Sequence, residues 1–340
     1  VRRRKKNGRF ITGQQLAVFR ASGKPFVRLK DGDHLVEWGF HMARKRIFIG
    51  CGEVLWDLLP GGRQLGGAPV NAAVHAAALG AEAHPISRVG ADALGREVME
   101  RLRILGLPTD GIAVDATAPT GTVSVELADG QPKYVIHENV AWDRMTADQS
   151  ALALARRADA ICFGTLAQRG ETTRQCVQEL VAATPREALR IFDLNLRQHF
   201  YSRDVIEESL RLANVVKLND QELPVLAAMF GWSGTAREQL AGLVSAHGLR
   251  AAALTRGANG SVLTFGDGSV SEHPGLQTKV VDAVGAGDAF TAALAMGLLL
   301  GWEGNEINLR ANEGAAYVVT QAGATPKLPD VLTRRFATSG

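Results

Sequence analysis

From residue 46 onward, short runs rich in Val, Ile and Leu alternate with longer segments whose apolar positions recur at helical spacing. The runs at 46–51, 84–89, 159–164, 190–194, 214–218 and 251–255 are short, mostly apolar and read as strands, several with a charged or polar residue among them. The segments 69–79, 92–105, 147–157, 171–183, 203–212, 220–229, 235–247, 287–300 and 305–321 read as helices, the first opened by Pro69 and stopped by Gly80. Such alternation is the signature of βαβ units, and it predicts a mainly parallel sheet covered on both faces.

Two stretches break the pattern. "GTVSVELADGQPKYVIHE" (121–138) alternates polar and apolar positions along two arms joined by Asp129-Gly130, which predicts a β-hairpin. The segment Val54 to Leu65, with Pro60-Gly61-Gly62, can supply another strand to the same small sheet. A sheet of that size does not stand alone, so it is expected to pack on the main domain as a lid, built from about 54–66 and 113–140.

Composition narrows the class. A chain of 340 residues that is 46% hydrophobic can bury a large core. Its net charge of +3 conceals an asymmetry: residues 1–41 hold ten Lys/Arg against three Asp/Glu, a surplus of seven, so the remainder is weakly acidic. A weakly acidic body lacks the clustered cations that nucleic acid requires. The run "RRRKK" at 2–6 has the composition of a nucleic-acid or acidic-membrane arm, but it lacks the apolar core of a secretory signal, and a solvated tail is the simpler expectation. Met42, directly before "ARKRIFIGCGE", reads as a natural chain start, with 1–41 a disordered or artefactual extension and 331–340 a C-terminal tail. The longest apolar run, Ala289 to Trp302, has 14 residues, short for a membrane span. The odd, widely spaced Cys51, Cys162 and Cys176 point to a reduced, cytoplasmic protein, and the eight histidines show no zinc spacing.

Candidate chemistry concentrates in "VDAVGAGDAFTAAL" (281–294). Gly285, Ala286 and Gly287 let the backbone turn its N–H groups toward one point at a helix start, where the helix dipole adds positive potential. The result is an anion hole. An isolated Asp288 there would be a helix cap. Beside an anion hole it can instead accept the proton of an attacking hydroxyl while the N–H groups neutralise charge on a transferred phosphoryl group. The dinucleotide motif G-x-G-x-x-G fails twice, at Leu55 and Phe290, where its third glycine should stand. No P-loop sequence occurs.

"DAVGAGDAF" resembles the second signature of the ribokinase-like (PfkB) sugar kinases, and "GGAPVNAAVHAAALGA" (66–81) resembles their first signature in its fructokinase form. "RVGADALGREVMERLRILGLPTDGI" (88–112), "FDLNLR" (192–197), "KLNDQE" (217–222), "TRGANG" (255–260) and "ANEGAAYVVTQAGATPKLP" (311–329) follow in the family's order. The resemblance implies a Rossmann-type three-layer α/β/α sandwich with a mainly parallel sheet and a small β-sheet lid, and transfer of a phosphoryl group from ATP to a sugar hydroxyl, D-fructose first. Asp288 is then the base, with Gly285, Ala286 and Gly287 as anion hole. Asp57, Gly66, Gly67 and Asn71 match the sugar contacts, and Gln168 and Arg169, leaving a strand at its carboxyl end, are candidates to join them. Asn195, Asn219 and Glu222 resemble contacts to phosphate and magnesium-bound water, with Arg197 adding charge near the phosphates. Thr255, Arg256, Gly257 and Gly260 resemble the loop beneath ribose and adenine, and Asn312 with Ala315 the adenine-side helix. The likeness also allows a monovalent cation such as K⁺ on carbonyls near Asp282 and Val284, where Ala283 replaces the usual threonine, and a homodimer through the lid. ATP, Mg²⁺ and a small-molecule sugar are the expected partners, with no nucleic acid and no membrane. The rivals are a 2-keto-3-deoxygluconate kinase, in which Arg169 would pair with the carboxylate, and a silent sugar sensor.

Overall fold

The structure, a computed structural model, describes residues 44–128 and 131–337, together with three strands nearer the N-terminus, Ala17–Ala21, Lys24–Asp31 and His34–Gly39. Those three pair antiparallel into a sheet of their own, within a unit separate from Lys45–Gly340. The basic run at 2–6 and the turn Asp129-Gly130 lie outside the described residues.

A nine-stranded sheet organises the larger unit, in the order Val270–His273, Ser261–Phe265, Ala251–Thr255, Val215–Asn219, Leu189–Asp193, Ala160–Phe163, Ile47–Cys51, Glu82–Gly90, Ile112–Asp115. Ser261–Phe265 pairs antiparallel with both of its neighbours, and all the other pairings are parallel. The period of two decides the layering: Ile47, Ile49 and Cys51 enter one apolar cluster and Phe48 the other. The cluster holding Phe48 is closed by helices Ala68–Ala78, Ala286–Leu299 and Gly304–Val318; the cluster holding Ile49 is closed by Glu171–Ala183, Arg203–Leu212, Glu222–Phe230 and Ala236–His247. This is the expected three-layer α/β/α sandwich.

The small sheet has the order Gln131–Ile136, Gly121–Ala128, Leu55–Leu59, Gly62–Gly66. Both irregular stretches of the sequence therefore build it, as the hydropathy pattern predicts. Ile112–Asp115, at the start of the second stretch, pairs instead with the edge of the main sheet, because its register continues Glu82–Gly90. Among the described residues, no helix is long and apolar enough to cross a membrane.

Candidate active site

The parallel strands end in loops along one edge, and there the sequence places its polar residues. Helix Ala286–Leu299 starts at this edge. Its N-cap, Gly285, adopts φ 82°, a left-handed conformation, and a Cβ there would overlap the carbonyl of Ala324. The neighbouring loop is fixed as well: Asp282 accepts from the backbone N–H of Val284 and of Gly323, both at 3.0 Å, and Nε2 of buried His75 lies 3.0 Å from Ala324 O. Burial lowers His75 to about 4, so the ring is neutral and donates to that carbonyl.

Asp288 stands on the first turn of the helix, partly accessible, with Oδ2 accepting from Asn71 Nδ2 at 2.8 Å. Burial and then the charge of Asp193 raise its carboxyl to about 6, against the pull of Asn71, Lys217 and Arg197. The carboxylate is thus ionised at neutral pH yet basic enough to take a proton.

Beneath it lies an ion pair absent from the candidate residues. Lys217 is 6% exposed, and its Nζ is 3.0 Å from Asp193 Oδ1, while Asp193 Oδ2 accepts from Thr291 Oγ1 at 2.8 Å, on the Asp288 helix itself. A Cβ at Gly287 would stand 2.9 Å from that ammonium. Glycine there admits a buried cation against the helix start and reinforces the anion-binding potential. Burial alone would lower the lysine's pKa, but Asp193, Glu222 and Asp288 hold it above its ordinary value, so Lys217 stays charged.

The expected residues fall into two groups around Asp288. Thr255, Gly257, Gly260, Asn312 and Ala315 line a single cavity of about 270 Å³, which Ala286 and Gly287 close at the helix start. Asn312 shapes its wall, with Nδ2 held by Ser261 Oγ at 2.7 Å and Asn308 O at 2.8 Å. Arg256 points out of it, toward Glu272 at 2.9 Å. Glu222 clamps two strand ends, Oε1 accepting from Leu196 N at 2.9 Å and Oε2 from Asn219 N at 2.8 Å. Asn219 Oδ1 in turn accepts from the N–H groups of Gln221 and Glu222, both at 2.9 Å. Asn195 takes φ 44°, a strained conformation for a residue with a Cβ, in the loop that carries Arg197.

On the other side, Asp57 and Gly66 are diagonal neighbours on paired strands of the small sheet: a Cβ at Gly66 would stand 2.7 Å from Asp57 Oδ2. The Asp57 carboxylate makes no hydrogen bond among the described residues, and burial raises its pKa. Gly67 caps the helix that carries Asn71. The charge of the exposed Arg197 guanidinium lowers the carboxyls of Asp57, Glu53 and Asp288 alike, against the burial that raises them.

Two candidate substrate residues face elsewhere. The 3₁₀ turn Leu166–Arg169 sends Gln168 inward, 1% exposed, where its amide bonds Gly164 O at 2.8 Å and Ser209 Oγ at 2.9 Å. Arg169 is committed to Asp143 by two bonds of 2.7 and 2.8 Å, reaches His137 O at 2.7 Å, and stacks on Trp142 with 3.9 Å to the ring centroid. It braces the base of the small sheet. Among the described residues, no three His, Cys, Asp or Glu side chains form a metal-binding cluster.

The doubly covered, mainly parallel sheet with a small second sheet is the architecture of the ribokinase-like fold. The chain belongs to the pfkB family of carbohydrate kinases, whose model matches residues 61–331. It is 30% identical to a fructokinase of Escherichia coli over 82% of this chain and 94% of that one. It is 31% identical to a 2-dehydro-3-deoxygalactonokinase of Haloferax volcanii over 69% and 75% respectively. The crystal structure of an uncharacterized sugar kinase from Pyrococcus horikoshii in complex with ATP superposes with a TM-score of 0.69 at 29% identity, covering 82% of this chain and 94% of that one.

Proposed function

We propose that the protein transfers the γ-phosphoryl group of ATP to a sugar hydroxyl, with the 6-hydroxyl of D-fructose as the first candidate. One observation carries this reading: Asp288 directly follows Gly287, which lines the cavity, and its carboxylate accepts from the Asn71 amide, so a single helix start joins a nucleotide-sized space to the sugar side. The nucleotide occupies the cavity, its base against Ala315 and its terminal phosphate at the amides of Gly285, Ala286 and Gly287. The sugar lies under the small sheet, which acts as a lid, with hydroxyls on Asp57 and toward the helical turn that carries Asn71. Asp288 takes the proton from the attacking hydroxyl, and the helix start with Lys217 behind it neutralises the charge that develops on the phosphoryl group.

The donor set fits a magnesium ion that keeps its waters, since both Glu222 oxygens already bind backbone N–H groups and retain further lone pairs for water. Such an ion supplies charge neutralisation at the β- and γ-phosphates. Both carboxylate oxygens of Asp282 are likewise occupied, so a monovalent cation would rest on the carbonyls of Asp282 and Val284. Leu58 and Tyr134 are exposed on the small sheet, apolar surface that pairing of two lids would cover; sedimentation velocity tests a dimer.

A second reading is supported by Arg197. Its exposed guanidinium makes one hydrogen bond, to Leu196 O at 3.2 Å, so it remains open to the carboxylate of a 2-keto-3-deoxy sugar acid. Arg169 is paired with Asp143 and its remaining Nη1 is buried, so it is not open to such a ligand. A coupled assay of ADP release over free sugars, nucleosides and sugar acids decides: turnover of fructose alone supports the first reading, turnover of the acid alone the second. A binder that releases no ADP with any of them would be a sensor.

A further inference from the structure

Glu53 follows the strand Ile47–Cys51 and takes no part in the chemistry above, yet it is only 2% exposed. One oxygen is used: Oε1 accepts the N–H of Ala68 at 3.2 Å, at the first residue of helix Ala68–Ala78. Oε2 is buried without a partner among the described residues. In the same helical turn Asn71 shows a matching deficit, since Nδ2 donates to Asp288 while Oδ1 is buried and unpartnered. Two buried acceptors thus lack a donor, close to a third acceptor, the Asp288 carboxylate. Such groups are rarely left so in a folded protein.

A proton on Glu53 changes the count. It turns one orphaned acceptor into a donor, held by Ala68 in the same helical turn as the Asn71 carbonyl that lacks one. It also settles the orientation of the amide, whose two ends are alike in shape and are distinguished only by their partners. A donor on the Oδ1 side and a carboxylate on the Nδ2 side specify a single orientation. With Glu53 ionised, several oxygens would compete for one NH₂ group.

We propose that Glu53 is a positioning residue that works in its protonated form, holding the first helical turn through Ala68 and supplying the donor that keeps the Asn71 amide on Asp288. The surroundings favour that form. Burial first, and then the charge of Asp288, raise Glu53 to about 7, against its backbone hydrogen bonds and Arg197. The other titratable groups that act on it, Cys51 at the end of the preceding strand and Cys162 on the neighbouring one, are buried thiols raised well above their usual range and therefore neutral. His75, on the Asn71 helix, is neutral and bonded to Ala324.

The inference rests on Asp288 being the base, so the test has one arm that needs turnover and one that does not. With D-fructose and ATP, Glu53→Ala should lose about tenfold or more in kcat/KM at pH 6.5, and Glu53→Gln should recover most of that loss. The parent should decline as pH rises through about 7, and Glu53→Gln should not. A glutamine variant as poor as alanine, or one that keeps the decline, overturns the proposal. The second arm is thermal melting between pH 4 and 8. A carboxyl raised from 4.5 to about 7 contributes stability that is fully present below 4.5 and lost as pH rises through 7. The melting temperature of Glu53→Gln should therefore climb relative to the parent across that window, and parallel curves would overturn the proposal. If the parent turns over neither fructose nor 2-keto-3-deoxygluconate, the kinase reading fails, and the melting arm still decides the state of Glu53.

Discussion

Replacing Gly285 by alanine should damage stability and catalysis together. The residue sits at φ 82°, where a Cβ costs about 1–2 kcal/mol on backbone grounds. The added carbon would also overlap Ala324 O and come within 2.6 Å of Ala324 Cα, both backbone atoms, so no side chain can rotate aside. Ala324 is further restrained by His75. Forcing one carbon into such a contact costs about 1–3 kcal/mol. The two contributions give a loss of about 2–5 kcal/mol, which for a large domain lowers the melting temperature by roughly 5–15 °C. Relief must come from a shift of the helix start, and displacing reacting groups by about 1 Å costs on the order of a hundredfold in rate. Scanning calorimetry and the ADP-release assay measure both effects. A Gly285→Ala protein that melts and turns over like the parent would show that the tight approach to Ala324 is not what the helix start depends on.

The activity of the free enzyme should fall about tenfold per pH unit below about 6, because Asp288 must be ionised to accept a proton and its pKa is raised to about 6; a profile flat to pH 4.5 would contradict that. Asp57→Ala should raise KM for the sugar about tenfold or more and leave KM for ATP nearly unchanged, the value of one hydrogen bond to a charged group; the reverse pattern would exchange the two halves of the site. Arg197→Met should weaken a sugar acid at least tenfold more than a neutral sugar if its guanidinium meets a carboxylate. Equal losses for both would place it with the phosphates instead.

The layered fold was legible because most strands of the main sheet are buried on both faces and show as short, mainly apolar runs between helical segments. The hairpin of Ser261–Phe265 and the edge strand Val270–His273 was not, since both strands are short and mix polar with apolar residues. Asp57 and Asn71 could be named from their place in a family pattern, and the geometry brings Asn71 to Asp288 across 217 residues of chain. Gln168 misled because a strand end fixes where a chain leaves the sheet but not which way a following 3₁₀ turn rolls its side chains. Lys217, Asp193 and Glu53 went unread although a signal was present: a charge inside "NVVKLN" or at the end of "RIFD" is buried if the strand is buried, and a buried charge requires a partner.

Asp288→Asn tests the account most directly. The amide is isosteric, can still bond Asn71, and lacks only the capacity to take a proton. In the ADP-release assay its kcat should fall by about 10² to 10⁴, with the melting temperature and sugar binding retained and the fall in activity below about pH 6 abolished. A variant that turns over at the parent rate would show that Asp288 is not the base.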